Sequence, residues 1–375
     1  MDSKTENQAA HNQVVQLTKR ASQLLKNRNY AEARTSFEEA LELAPDDPYI
    51  LTGIGDALRQ QKSFSGATVH YRRVLEIDPK NVFALRGLGD ALRGQRLYLE
   101  AISCWKKYLQ LRNHRDIFVL TRIADSYKTV NDDESSLIYY KKALALDGCD
   151  RYALMGLADL YHKKGQAASA VEHYEKALAN GVTLINVLTI VAKLHWSLGN
   201  HEQAKLYFDK TLSRDPDNSY ALYGLGNYFR WKCDYRKAIA VWEKILEKNS
   251  GTVNLMTRIG DAYRNLGEFD AAERAFRKNL DIAYDKFTMV GILKLYCLQG
   301  RLEEACGCYD ELLRHEGEDN RFLDDVVALL IKHKTHDRAL HLLRHAVQQH
   351  GISSLVGQVA AERIKNLEIM ALERK

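Results

Sequence analysis

Apolar and polar residues alternate along this chain with two superimposed rhythms. The short rhythm is helical. In the stretch from Pro48 to Lys80, apolar residues fall at Leu51, Ile54, Gly55 and Leu58, then at Ala67, Tyr71 and Val74, each set lying on one face of an α-helix. The long rhythm repeats that segment every 34 residues. Gly-Asp-Ala-Leu-Arg stands at 55–59 and again at 89–93, and the apolar positions after it recur in kind. Numbering the copy from Pro48 as position 1, small residues fall at positions 8 and 20, a large aromatic or aliphatic residue at 24, and often proline at 32. The pattern runs through about ten copies from Val14 to Ser353: 14–47, 48–81, 82–115, then one extra residue, then 117–150, 151–184, 185–218, 219–252, 253–285, 286–319 and 320–353.

Each copy predicts two antiparallel helices. Small side chains at 8 and 20 let the helices approach, and the large side chain at 24 fills the space between them. Gly165, Gly199, Gly267 and Gly300 fall at position 15, the turn, where a positive φ is cheap for glycine. Ala-Pro at 44–45 and Asp-Pro at 78–79 and 215–216 stop second helices. Such a hairpin cannot bury its apolar face alone, and stacking its neighbours on it solves that problem. The last segment, from Ser354 to Lys375, reads as an amphipathic helix closing the stack, and the polar residues 1–13 read as a flexible N-terminus.

The pattern L/W-x2-L/I-G/A-x2-Y/L, A-x3-F/Y/W-x2-A, then P, resembles the tetratricopeptide repeat (TPR), and it covers nearly the whole chain. Departures are Ser136 at position 20, Thr211, Ile245 and Asn279 at position 27, and the weaker ninth and tenth copies. The resemblance implies an all-α fold: a right-handed TPR superhelix, or α-solenoid, with first helices lining a concave wall and slightly more than one superhelical turn. It also implies a protein-interaction scaffold that binds an extended peptide or a helix of a partner along that wall, mainly through positions 2, 5, 6, 9, 12 and 13.

At those positions the chain is regular, then irregular. Position 9 reads Asp56, Asp90, Asp125, Asp159, Lys193, Asn227 and Asp261, and position 12 reads Arg59, Arg93, Lys128, His162, Trp196, Arg230 and Arg264. An acid three residues before a base lies on the same helix face. The pairs form either a ladder of ion pairs worth a few tenths of a kcal/mol each or a polar track for a ligand, and the two are compatible. Arg86, Arg122 and Arg258 add positive charge to the same wall. In the sixth and seventh copies the track breaks: Ile190, Lys193, Trp196, Tyr220, Tyr223 and Trp231 stand there. Trp105 and Trp242 occupy the core position 24, which leaves Trp196 and Trp231 as candidate groove anchors with Tyr223. Packing between repeats is their alternative, and Tyr220 in particular reads as packing because Tyr49, Phe83, Phe118 and Tyr152 share its position 2. The known chaperone-tail carboxylate pattern of TPR proteins is matched only by Arg258.

Composition narrows the functional classes. Hydrophobic residues make up 46% and the net charge is +5, spread over mixed signs. That favours neither disorder nor nucleic acid as partner, and acids facing outward at position 9 weigh against RNA. No phosphate loop, zinc-hydrolase or nucleophile-elbow motif occurs in a suitable context. No residues remain for a catalytic domain, so no enzyme, cofactor or metal site is expected. The six cysteines follow neither a disulfide nor a zinc spacing, and free thiols suggest a reducing compartment. With no apolar leader or membrane span, the expected location is cytoplasmic. Self-association through terminal repeats is the alternative function.

Overall fold

The computed structural model describes residues 3–248, 253–317 and 321–372. The expected repeat junctions at 252/253 and 319/320, and the last residues of the expected closing helix, fall partly or wholly outside them. Every described element is an α-helix, and the helices divide between two compact units, 1–187 and 188–375.

In the first unit α1 (Ser3–Lys26) pairs with α2 (Tyr30–Leu43), α3 (Pro48–Gln60) with α4 (Phe64–Ile77), and α5 (Val82–Gly94) with α6 (Tyr98–Leu111). Likewise α7 (Ile117–Thr129) pairs with α8 (Asp133–Leu146) and α9 (Arg151–Lys163) with α10 (Ala167–Ala179). Most of the N-terminal stretch expected to be flexible is therefore helical, because α1 starts at Ser3. The second helices α2, α4, α6 and α8 each pack on the next first helix, and α3 and α7 also touch the first helices α5 and α9. One continuous apolar core runs from Ala21 to Leu157.

The second unit takes most of α11 (Ile185–Ser197), then α12 (His201–Leu212), α13 (Ser219–Trp231), α14 (Tyr235–Lys248), α15 (Val253–Leu266) and α16 (Phe269–Leu280). The weaker ninth and tenth copies form two further hairpins, α17 (Lys286–Gln299) with α18 (Leu302–Glu316), and α19 (Arg321–Lys332) with α20 (His336–His350). A single helix, α21 (Leu355–Leu372), packs on α20.

Three local devices repeat. The first is a side-chain cap on the residue before position 1. Asp47, Asn81, Asp116, Asp150, Asn218 and Asp285 each accept a backbone N–H from the first turn that follows, worth about 1 kcal/mol apiece. The second is the turn. Position 15 has positive φ in all ten copies: the four glycines, and also Arg28, Lys62, Arg96, Asn131, Cys233 and Lys334 at φ 59–64°. In each copy the next N–H donates to the carbonyl at position 11, as Ser63 does to Leu58 at 2.9 Å. The turn is thus a Schellman closure that imposes a left-handed residue whatever the side chain.

The third device is a slot for the ring at position 24. Tyr71 is fully buried between Gly55 of its own first helix and Gly87 of the next. A Cβ at either glycine would stand 2.7 or 2.5 Å from the ring. Phe276 lies the same way between Gly260 and Gly291. The second small residue, at position 6 of the following repeat, thus completes the core of its predecessor.

Candidate functional site

In the first unit the charged positions form a ladder. Asp56 accepts the Tyr71 hydroxyl at 2.7 Å and lies 3.2 Å from Arg59. Arg59 reaches across to Asp90 at 3.6 Å, and Arg122 closes on Asp90 from the next repeat at 2.6 Å. Asp125 accepts the Tyr140 hydroxyl. Asp159 accepts that of Tyr174 at 2.6 Å and meets Lys128 at 3.6 Å. Burial, reinforced by Asp56, pushes the Tyr71 phenol well above its ordinary value. Burial works against the charge of Arg59, but Tyr71, Asp56 and Asp90 around it more than offset that. The carboxylates therefore have an inward role: they satisfy phenols that the ring slots bury. Position 9 is Asp in these three copies with Tyr at position 24, a pairing visible in the sequence and missed there, whereas the ninth copy has Lys294 with Tyr309. Arg93 is exposed and shares a 290 Å³ hollow with Arg59, Asp90 and Arg122. Arg86 stands apart, 3.7 Å from Asp116.

In the second unit the two indoles meet on a third ring. The His201 imidazole sits between them, with centroids 4.3 Å from Trp196 and 4.4 Å from Trp231. Trp196 is half-buried, whereas Trp231 stays 47% exposed with the Lys232 ammonium 4.7 Å above it. The tryptophans are thus packed together across adjacent repeats with one face still open. Ile190 is half-buried and Lys193 exposed.

Four other candidates converge on a 390 Å³ cavity: Tyr223, Arg230, Arg258 and Asp261 line it with Thr257 and Phe287. The Arg258 guanidinium lies 5.3 Å from the Tyr223 ring centroid and donates to Asn227 at 3.5 Å. Arg264 is held by Asp261 at 2.9 Å. Burial, with the charge of Arg258 beside it, lowers the Arg230 pKa from its ordinary value.

The position-2 reading holds only in part: Tyr49 meets the preceding repeat, its ring edge-on to Phe37 at 6.4 Å between centroids, but Tyr49, Phe83, Phe118 and Tyr152 are 60, 74, 60 and 69% exposed. Each is the second residue of a first helix, so its side chain starts beyond the ring slot. Only Tyr49 has a described polar partner, its hydroxyl lying 2.7 Å from that of Ser22. A 510 Å³ hollow between Tyr49 and Phe83 is floored by Leu25, Phe37 and Gly53. Tyr220 and Phe287, at the same position in the second unit, are exposed too.

The cysteine cluster at 297, 306 and 308 holds free thiols, two of them buried. Burial pushes the Cys297 thiol up to about 12 and those of Cys306 and Cys308 to about 11. Among the described residues no three His, Cys, Asp or Glu side chains converge to hold a metal ion, and no described helix is long and apolar enough to cross a membrane.

Helical hairpins repeated in register, several of them lending the preceding repeat one side of its ring slot, define a helical-repeat protein of the all-α class. Its repeats match the tetratricopeptide repeat family over residues 18–82, 122–181 and 192–230, and again over 253–286. The chain belongs to that family. Among solved structures, the C-terminal part of a TPR repeat-containing protein from Cytophaga hutchinsonii shares the fold. It is 18% identical, covering 64% of this chain and 99% of its own, with a TM-score of 0.56. MamA is 25% identical over 45% of this chain and 92% of its own, at a TM-score of 0.42. YrrB, described as a TPR protein with an unusual peptide-binding site, is 21% identical over 48% and 91%, at 0.43.

Proposed function

We propose that this protein is an interaction scaffold whose first-helix wall takes an extended peptide or a helix of a partner protein. The observation that carries this reading is the row of large, exposed aromatic side chains at Tyr49, Phe83, Phe118 and Tyr152. Exposed aromatics are costly to leave in water and are common anchors of protein interfaces. Adjacent packed helices lie about 8–10 Å apart, so the row offers one apolar anchor per repeat. In the second unit the cavity of Tyr223, Arg230, Arg258 and Asp261 and the open face of Trp231 supply a second set of contacts.

The test places a photo-crosslinking benzoylphenylalanine at Phe83 and, as a control, at Lys107 on the exposed face of α6. Partners from native lysate should crosslink at position 83 and not at 107, and Phe118→Ala should reduce their yield. Equal crosslinking at both positions, or yields unmoved by Phe118→Ala, would refute the reading.

A further inference from the structure

The third repeat is one residue longer than its neighbours, and the extra residue changes the charge of the surface. Four residues join α2 to α3, α4 to α5 and α8 to α9: Ala-Pro-Asp-Asp, Asp-Pro-Lys-Asn and Asp-Gly-Cys-Asp. Five join α6 to α7, and they read Arg-Asn-His-Arg-Asp, residues 112–116. None of the three four-residue linkers carries a net positive charge, whereas this one does, with two arginines against one aspartate.

The backbone there is also distinct. Asn113 and His114 are consecutive left-handed residues, at φ 51° and 57°. The His114 N–H donates to the Leu109 carbonyl at 2.8 Å, ending α6 in a tight closure before α7 begins. Beside this loop opens a 1020 Å³ hollow lined by Arg86, Arg112, Arg115, Asp116, Tyr108 and Phe118. Three arginines and one carboxylate line it, and that carboxylate is already engaged. Asp116 accepts the Tyr108 hydroxyl at 2.7 Å and the Val119 N–H at 3.1 Å, and lies 3.7 Å from Arg86. Arg112 and Arg115 are exposed, and neither side chain makes a hydrogen bond or ion pair among the described residues.

We propose that this notch binds a carboxylate from an acidic segment of a partner protein, with an adjacent apolar residue of that segment laid on Phe118. Guanidinium forks match carboxylates in geometry and charge. The exposed Phe118, Leu111 and the half-buried Ile117 on the rim suit a peptide side chain better than a sugar–phosphate backbone. The proposal rests on the first-helix wall being a docking surface, because Phe118 belongs to both.

The test uses fluorescein-labelled 12-residue peptides built from Glu-Glu-Phe or Gln-Gln-Phe repeats, and a 12-nucleotide oligo-thymidine, read by anisotropy at 50 and 200 mM salt. The acidic peptide should bind at least tenfold more tightly than its glutamine counterpart and weaken with salt. Arg112→Ala/Arg115→Ala should erase that preference, while Lys141→Ala/Lys142→Ala on α8 should keep it. Helix content by circular dichroism verifies that both double variants fold. Equal binding of the two peptides, no binding of either, or a preference surviving in the arginine variant would overturn the proposal. Tighter binding of the oligonucleotide would overturn it in favour of a phosphate ligand. Phe83→Ala separates the two readings: it should weaken both peptides if the aromatic wall is used. If it leaves both unchanged while the arginine variant loses the acidic preference, the notch stands and the wall falls.

Discussion

Gly87→Ala is expected to be among the most damaging single-methyl additions in the first unit. The new Cβ would stand 2.5 Å from Cε1 and Cζ of Tyr71 and 2.8 Å from its hydroxyl oxygen. The ring has nowhere to go: it is fully buried, Gly55 backs it on the far side, and Asp56 and Arg59 hold its hydroxyl. Overpacking of a tight core costs about 1–3 kcal/mol. Displacing the phenol from a carboxylate adds about 1.5–3 kcal/mol. Alanine returns about 1 kcal/mol of helix propensity. The expected net loss is about 1.5–5 kcal/mol. It is measured by urea unfolding followed at 222 nm, with hydrogen exchange of peptides from α4 and α5 to localise it. Gly307→Ala is the control, because a Cβ there meets nothing within 4 Å, so it should stabilise by about 0.5–1 kcal/mol. If Gly87→Ala matched that gain, or left exchange in α4 and α5 untouched, the ring-slot account would be wrong.

Two further outcomes are expected. At the turns, Gly165→Ala meets no neighbour and should cost about 1 kcal/mol through the left-handed backbone alone. Arg96→Gly should be neutral to stabilising by a few tenths, so denaturant midpoints should move in opposite directions. Burial works against the charge of Glu273, but hydrogen bonds from Arg301, Arg277 and Tyr296 at 2.7, 2.8 and 2.9 Å outweigh it and hold the pKa below its ordinary value. Because the folded pKa is the lower one, this stabilisation is present above about pH 4.3 and is lost as the pH falls through the folded value. Glu273→Gln should therefore lower stability by about 1.5–3 kcal/mol at pH 7, and that difference should shrink toward pH 3. A gap that persisted at low pH would contradict the assignment.

The helical class and the stacking of hairpins were legible because 34-residue self-similarity repeats one physical problem many times. The large residue at position 24 and the small one at 8 were legible for the same reason. The small residue at position 6 was not singled out, although Gly53, Gly87, Gly156, Gly224 and Gly291 repeat there, since its role belongs to the preceding repeat rather than its own. Position 2 was partly misread because an aromatic that recurs looks like core. Periodicity records that a position matters and leaves open which side of the helix end it faces. Trp196 and Trp231 lie in adjacent repeats by pattern, but their convergence on His201 depends on side-chain directions at the end of a helix. The basic notch left a trace in the sequence as one residue too many, with arginines where neighbouring loops carry aspartates.

The shared ring slot also bears on how this protein can be divided. Tyr71 is lined partly by Gly55 and partly by Gly87, so the covalent repeat and the self-sufficient piece are not the same object. A fragment ending after a second helix, such as 1–81, would leave Tyr71 bare on one side and prone to aggregate. One carried on through the next first helix, such as 1–94, would have its final ring covered. The second unit ends in that way, on the lone helix α21 set against α20. Limited proteolysis and fragment expression should accordingly favour products with an odd number of helices.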